Sequence, residues 1–315
     1  AYFHKSYPIN LLSALISITL NCSLSDIRWK EACVNKIAGK LEVSRFEIPY
    51  RLYGSSDKLM VCIGGAKQTM SAWRSFVSRF QTEYSILVFD LPGQGRAKIN
   101  YGCMGVSLEE QVDALHELLV RIDAQKYSSR YLVGGSWGSI VAASYLDRYP
   151  DLFNRAVLGS FGTRANSVLQ VIIDQVQSYI EQGRGAEIAP LMIEKFGQLI
   201  PEHLKRQIIS QFNDMSEEQY ASFYEHSRSV TQMGDLKQHI ELSSIAIPVL
   251  VVMGQFDTIM DLFDTRKATK MLANGEFQLV KGVGHFLHWE KPELLETYAE
   301  FFERTAEESQ HCSAN

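Results

Sequence analysis

The sequence predicts an α/β fold, a mostly parallel sheet with helices on both faces, interrupted by an inserted helical cap. Three observations predict it. From about Leu41 short continuous apolar runs alternate with helical patterns, which is how strands buried on both faces and their covering helices read. Near Phe161 that rhythm stops, and the pattern stays helical as far as Leu242 before strands resume at Pro248. Several of the apolar runs also end on glycine-rich turns, the punctuation expected where a strand hands over to a helix.

Taken in order, residues 9–21 come first. They carry no charge and follow Lys5, so a signal peptide has to be weighed. The stretch is shorter than the about 20 apolar residues that span a bilayer, and Leu20-Asn21-Cys22 is a poor cleavage site. Leu11, Leu12, Leu15 and Ile16 recur at helical spacing, which predicts an amphipathic helix packed on the body or on a partner. Residues 59–63 and 85–89 read as strands, ending at Gly64-Gly65 and at Asp90-Leu91-Pro92-Gly93-Gln94-Gly95. Over 108–122 the apolar strip Val112, Leu115, Leu118, Leu119 predicts a helix. A strand at 131–133, a helix over 139–148 and a strand at 155–159 follow. Helices are predicted over 168–180, 188–200, 202–212 and 217–230, punctuated by Gly183-Arg184-Gly185, Pro190 and Pro201. Strands at 248–254 and 277–280 and a helix over 292–305 complete the pattern. The chain therefore divides into an N-terminal helical extension (1–40), a first part of the core (41–160), a helical cap (161–244), a second part of the core (245–306) and a flexible tail (307–315).

The 315 residues carry a formal charge of −5, which argues against nucleic acid, because a phosphate-binding surface needs an excess of lysine and arginine. No stretch reads as transmembrane. Five cysteines (Cys22, Cys33, Cys62, Cys103, Cys312) lack C-x-x-C spacing and suggest reduced thiols in the cytoplasm, not a disulfide framework or a zinc site. Cys62 lies in an apolar run and reads as a buried small hydrophobe.

Chemistry concentrates at Gly134-Gly135-Ser136-Trp137-Gly138. The match to G-x-S-x-G sits between a strand and a helix, the context that distinguishes a strained nucleophile turn from a chance occurrence. Such a turn presents the serine hydroxyl at a helix N-terminus, where developing negative charge is favoured. A serine hydroxyl is a weak nucleophile without a base. Gly282-Val283-Gly284-His285-Phe286 supplies one, after the last predicted strand and before the last helix. His288 is the competitor; a His-x-x-His metal site has no carboxylate or cysteine at ligand spacing, so neither metal nor cofactor is expected. His4, His116, His203, His226, His239 and His311 fall on helical or terminal segments and read as structural or solvated. The orienting acid should follow a strand between serine and histidine. Asp257 fits, whereas Asp261 and Asp264 read as caps of the next helix, and Ser160-Phe161-Gly162-Thr163 offers no carboxylate. Backbone N–H groups of Trp137 and Ala66 are the expected oxyanion-hole donors.

These residues resemble the α/β hydrolases over residues 41–305. More narrowly, the chain is similar to bacterial acyltransferases acting on β-hydroxyacyl thioesters: synthases of hydroxyalkanoyloxy-alkanoate lipids, the precursors of rhamnolipids, and transacylases passing β-hydroxyacyl groups from acyl carrier protein to coenzyme A. The shared features are Gly65-Ala66 with Ser71-Ala72-Trp73, Phe89-Asp90-Leu91-Pro92, Ser136-Trp137-Gly138, Asp257 with Asp264-x-Arg266, and Gly284-His285-Phe286-Leu287 with Glu290. In the cap they are Ile200-Pro201, Leu204-Lys205, Gln219-Tyr220 and His226. The chain departs from that group in having Gly64 where asparagine is usual, and Thr258-Ile259-Met260 where Tyr-Thr-Thr is usual.

The resemblance implies a small acyl substrate delivered on acyl carrier protein or coenzyme A, with residues 1–40 free for a peripheral or partner contact. Expected substrate contacts are Gly65, Lys67, Phe161, Arg164, Val168, Ile172 and Phe286. Val176, Met192, Phe196, Phe212, Phe223 and Tyr224 add apolar cap surface suited to a fatty acyl chain. Lys67, Arg164, Arg184, Lys205 and Arg206 are candidates for steering an acidic carrier. The acceptor stays open between a hydroxyl, a thiol and water. A carboxylesterase or thioesterase with the same triad, and a non-catalytic binding member of the fold, are the rival readings.

Overall fold

The computed structural model describes residues 36–304. The helix expected over 9–21, Cys22, Cys33, Cys312, His4, His311 and the 307–315 tail lie outside them.

One nine-stranded sheet forms the body. In chain order its strands are β1 (Lys36–Val43), β2 (Phe46–Tyr53), β3 (Lys58–Ile63), β4 (Ser85–Phe89), β5 (Lys98–Ile99), β6 (Ser129–Gly135), β7 (Arg155–Gly159), β8 (Pro248–Gly254) and β9 (Asn274–Val280). They line up as β1-β2-β4-β3-β6-β7-β8-β9, with β5 beside β2. From β4 to β9 every pairing is parallel, while β1, β2 and β5 pair antiparallel. The helices are α1 (Arg74–Phe80), α2 (Leu108–Arg121), α3 (Trp137–Arg148), α4 (Ser167–Glu181), α5 (Ile188–Phe196), α6 (Glu202–Asn213), α7 (Glu217–Met233), α8 (Leu262–Met271) and α9 (Leu294–Glu303).

The continuous apolar runs have a simple cause. Alternate residues of a strand point to opposite faces, and here both faces are covered. Leu59, Val61 and Ile63 of β3 pack in one cluster with α2 and α3. Met60 and Cys62 pack in the other, with α1 and α9. Cys62 is fully buried, as its setting suggests. A third cluster, built from Ile172, Ile188, Phe212 and Phe223, belongs to the cap; Ile259, from the loop after β8, packs into it and joins cap to body.

Three local readings need correction. The β1–β2 hairpin begins at Lys36, ahead of Leu41, and its half-exposed strands hid it from a search for apolar runs. Pro190 lies in the first turn of α5, where its missing N–H costs no helical bond, so it does not punctuate. That helix ends at Phe196, where the Gly197 N–H closes on the Met192 and Ile193 carbonyls.

Because the chain leaves β3 for β4 on one side and returns to β6 on the other, the switch in strand order falls between β3 and β6. The loops that follow them leave towards opposite sides, and outside their carboxyl ends lies the crevice in which open α/β sheets bind ligands.

Candidate active site

Ser136 follows β6 in that crevice with φ 53° and ψ −120°, a conformation L-residues rarely adopt. The turn is enforced by packing. A Cβ at Gly134 would stand 2.5 Å from the Gly138 carbonyl oxygen, and one at Gly138 would collide with the Ile63 carbonyl. Gly135 has open space around it, so only two of the three glycines are required by contact. The Ser136 N–H donates to the Gly159 carbonyl at 2.8 Å, and Ser139 Oγ bonds the Gly134 and Gly159 carbonyls, pinning the elbow to β7.

The three side chains selected from sequence meet. His285 Nε2 lies 3.0 Å from Ser136 Oγ, and His285 Nδ1 lies 2.8 Å from Asp257 Oδ2. Burial alone would raise the Asp257 carboxyl; the His285 charge and the hydrogen bonds it accepts, including the Ile259 and Met260 N–H groups at Oδ1, outweigh this and hold it below the usual range. The His285 loop is fixed from behind. Glu290 accepts the N–H groups of Gly284 and Phe286, on either side of the histidine, and Ser160 Oγ donates to the His285 carbonyl at 2.7 Å. Ser160 directly follows β7, in the segment that the sequence showed to carry no carboxylate. Nothing in the local sequence of Ser160 signals its role, since only the packing of β7 against the last loop reveals it.

At the end of β3, the N–H of Gly65 is taken by Gln68 Oε1 and that of Lys67 by Gln94 Oε1. The Ala66 N–H between them has no acceptor among the described residues, and neither has that of Trp137 at the start of α3. Two free donors flanking a nucleophile can stabilise an oxyanion. Trp137 Nε1 donates to Gln111, which donates onward to the Pro92 carbonyl, fixing the first residue of the helix.

A cavity of about 590 Å³ opens on Ser136 and His285. Gly65, Lys67, Arg164, Ile172 and Phe286 line it; Phe161 and Val168 do not. Phe161 is fully buried in the core under the sheet, and Val168 on the outer face of α4 is exposed. Val176, Met192, Phe196, Phe212 and Phe223 line it from the cap, whereas the Tyr224 hydroxyl turns outward to Glu181. Phe196 meets the His285 ring edge-on at 5.4 Å and stacks on Phe286.

Lys67 is not a steering residue. It is buried, donates to the Gly93 and Gln219 carbonyls at 3.1 Å each, and burial lowers its ammonium to about 7. Arg184 and Lys205 are paired within the cap to Glu187 and Glu202. Asp261 caps α8, but Asp264 does not. Its carboxylate binds Lys237 and Thr163, joining the end of the cap to the body. His226 and His203 line the cavity, which their helical setting did not reveal; burial, and then the Lys67 charge, pushes His226 down to about 3. Among the described residues no helix is long and apolar enough to cross a membrane, and no group of three histidine, cysteine or acidic side chains could hold a metal.

A sequence profile of the Alpha/beta hydrolase family matches residues 60–297. Among curated proteins, the chain is 23% identical over 246 residues to the (R)-3-hydroxydecanoyl-ACP:CoA transacylase of Pseudomonas aeruginosa, covering 77% of this chain and 80% of that one. It is also 23% identical to the (E)-2-((N-methylformamido)methylene)succinate hydrolase of Acinetobacter baylyi, covering 82% and 95%. Among solved structures, an alpha/beta hydrolase enzyme from a Medee basin deep-sea metagenome library superposes with a TM-score of 0.73 at 20% identity, over 85% of this chain and 98% of that one. The enol-lactonase of Burkholderia xenovorans superposes at 0.71 and 17%, over 84% and 100%.

Proposed function

From the premise that this chain belongs to the Alpha/beta hydrolase family and is an enzyme, we propose that it transfers a medium-chain β-hydroxyacyl group from a thioester to a hydroxyl or thiol acceptor through an acyl-Ser136 intermediate. The observation that carries this reading is the unbroken chain Asp257–His285–Ser136 opening into a cavity walled by the apolar cap.

In the first half-reaction Ser136 Oγ attacks the thioester carbonyl carbon as His285 Nε2 takes its proton. The ionised Asp257 stabilises the imidazolium and keeps Nδ1 as the donor to itself. The oxyanion sits on the N–H groups of Ala66 and Trp137. Collapse breaks the C–S bond, and the leaving thiolate takes the proton from His285. In the second half the acceptor's O–H or S–H gives its proton to His285 and attacks the acyl carbon. The C–Oγ bond then breaks, and the proton returns to Ser136.

Water as acceptor turns the same machinery into an esterase or thioesterase, and the likeness to a succinate-type hydrolase keeps that reading in play. Transfer is favoured by the aromatic cover of Phe196 and Phe286 beside His285, since excluding water protects an acyl-enzyme. The test supplies β-hydroxydecanoyl thioester with a hydroxyacyl or thiol acceptor and separates the products. New ester or thioester supports transfer, whereas free acid alone makes the enzyme a hydrolase. Fluorophosphonate labelling should fall on Ser136 and vanish in Ser136→Ala; an adduct elsewhere refutes the nucleophile.

A further inference from the structure

The loop that follows Asp257 is held by the cap at two points. Thr258 accepts the Nδ2–H of Asn166 at its carbonyl, at 3.0 Å, and its Oγ1 donates to the Lys195 carbonyl at 2.9 Å. Asn166 is the N-cap residue of α4, and Lys195 lies in the last turn of α5. A helix end leaves carbonyls without intrahelical partners, so Thr258 closes the open end of α5 onto the body. None of these three residues lines the cavity.

From these two bonds the contacts run on to both members of the Asp257–His285 pair. Ile259 and Met260, the next residues, give their N–H groups to Asp257 Oδ1 at 3.1 and 3.2 Å. Phe196, directly after Lys195, meets the His285 ring edge-on. One exposed threonine therefore stands between the cap and the carboxylate on one side, and between the cap and the imidazole on the other. Ile259 is itself buried in one cluster with Ile172, Val176, Phe212 and Phe223 of the cap, all of which line the cavity.

Resting on the reading that Ser136 is acylated, whatever acceptor follows, we propose that Thr258 is a positioning residue that couples the seating of the acyl chain in the cap to the alignment of Asp257 and His285. A chain in the cavity packs against the cluster that holds Ile259, and so braces α4, α5 and the loop as one unit. Thr258 carries that bracing to the imidazole through the end of α5 and to the carboxylate through the loop backbone. Binding energy gained far from the reacting carbonyl is then realised in kcat and not in KM. A short acyl group leaves the cluster unfilled and gains nothing from the coupling.

The full chain tests this with p-nitrophenyl acetate and p-nitrophenyl decanoate, reading kcat and KM for each. Wild type should turn over the decanoate faster at saturation by about 10-fold or more, since truncated substrates lose kcat. Thr258→Val keeps the branched shape and removes the donor to Lys195. It should lower kcat for the decanoate about 3–10-fold, the worth of one hydrogen bond, with KM little changed and the acetate unaffected. Thr258→Ser retains the hydroxyl and should restore the wild-type ratio. Asn166→Asp keeps the oxygen that caps α4 and removes the donor to the Thr258 carbonyl; it should act in the same direction, and serves if the first variant misfolds. A threonine with a merely structural role would lower both esters together. That outcome, an unchanged decanoate-to-acetate ratio in folded variants, or equal kcat values for the two esters in wild type, overturns the coupling. If mass spectrometry finds no acyl-Ser136 with either ester, the proposed function fails and the coupling with it; acyl-Ser136 formed with an unchanged ratio sinks the coupling alone.

Discussion

At the scale of single residues, the site depends on charges and tautomers fixed by neighbours. Asp257 is buried yet kept ionised by His285 and two backbone N–H groups. In Asp257→Asn an amide faces Nδ1 and favours the wrong tautomer, so kcat should fall about 10³–10⁴-fold with little change in KM; steady-state kinetics on a chromogenic decanoyl ester reads both. Glu290 does not line the cavity and holds the His285 loop from behind. Glu290→Ala releases the Gly284 and Phe286 amides, and a histidine displaced by an ångström can cost about 10²-fold. The expected outcome is a lower kcat with KM little changed, read by steady-state kinetics. Rescue by Glu290→Gln, which retains one acceptor oxygen, should be partial.

At the scale of elements, the β6–α3 elbow is set by backbone contact. Gly138→Ala drives a Cβ into the Ile63 carbonyl, with the Gly64 oxygen 2.7 Å away. Since neither is a flexible side chain, the fold should lose about 3 kcal/mol or more. Gly135→Ala meets nothing within 4 Å and should stay within about 0.5 kcal/mol of wild type. Urea unfolding of the two variants separates a turn that needs all its glycines from one that needs two. The N-terminus of α7 is equally specified. Ser216 and Gln219 close a capping box, while the Gln219 side chain also reaches the Gly95 carbonyl and Ser222 bonds that of Gly93. The cap is therefore fastened to the loop after β4, beside the crevice that holds Ser136.

At the scale of the whole molecule, Lys67 links the loop after β3, the loop after β4 and the cap through two carbonyls, with its ammonium 5.5 Å over the Phe223 ring. Burial lowers it to about 7 from 10.5. Between these values the unfolded chain binds more protons than the folded one. Stability from this group therefore rises with pH from about 7 to about 10.5 and is lost as pH falls through 7, by roughly 1.4 kcal/mol for each unit of displacement. Denaturation midpoints at pH 6 and pH 9 should show wild type gaining over that interval relative to Lys67→Met, which carries no titrating group there. Equal gains in both proteins would mean that Lys67 keeps an ordinary affinity for its proton.

Much of this was written locally. Strands at 85–89, 155–159 and 248–254 stand where the apolar runs put them, because a strand buried on both faces has no polar position to blur its ends. Ser136, Asp257 and His285 were legible because each terminates a strand or follows one at a turn whose residue types are constrained. The hairpin at the sheet's edge was not, since half-exposed strands carry a diluted pattern. Nor were Ser160, Glu290, Gln68 and Gln94, whose side chains tie down backbone groups of the loops beside Ser136 and His285, or the difference between Ile172, which faces the cavity, and Val168, which faces solvent. Sequence determined the layered architecture and the three side chains that meet at the elbow, because periodicity and turn chemistry are properties of neighbours in the chain. Which amides stay free and which cap residues face the cavity were decided by tertiary packing, because those depend on how the loops after β3 and β4 and the cap helices come to lie around one sheet edge.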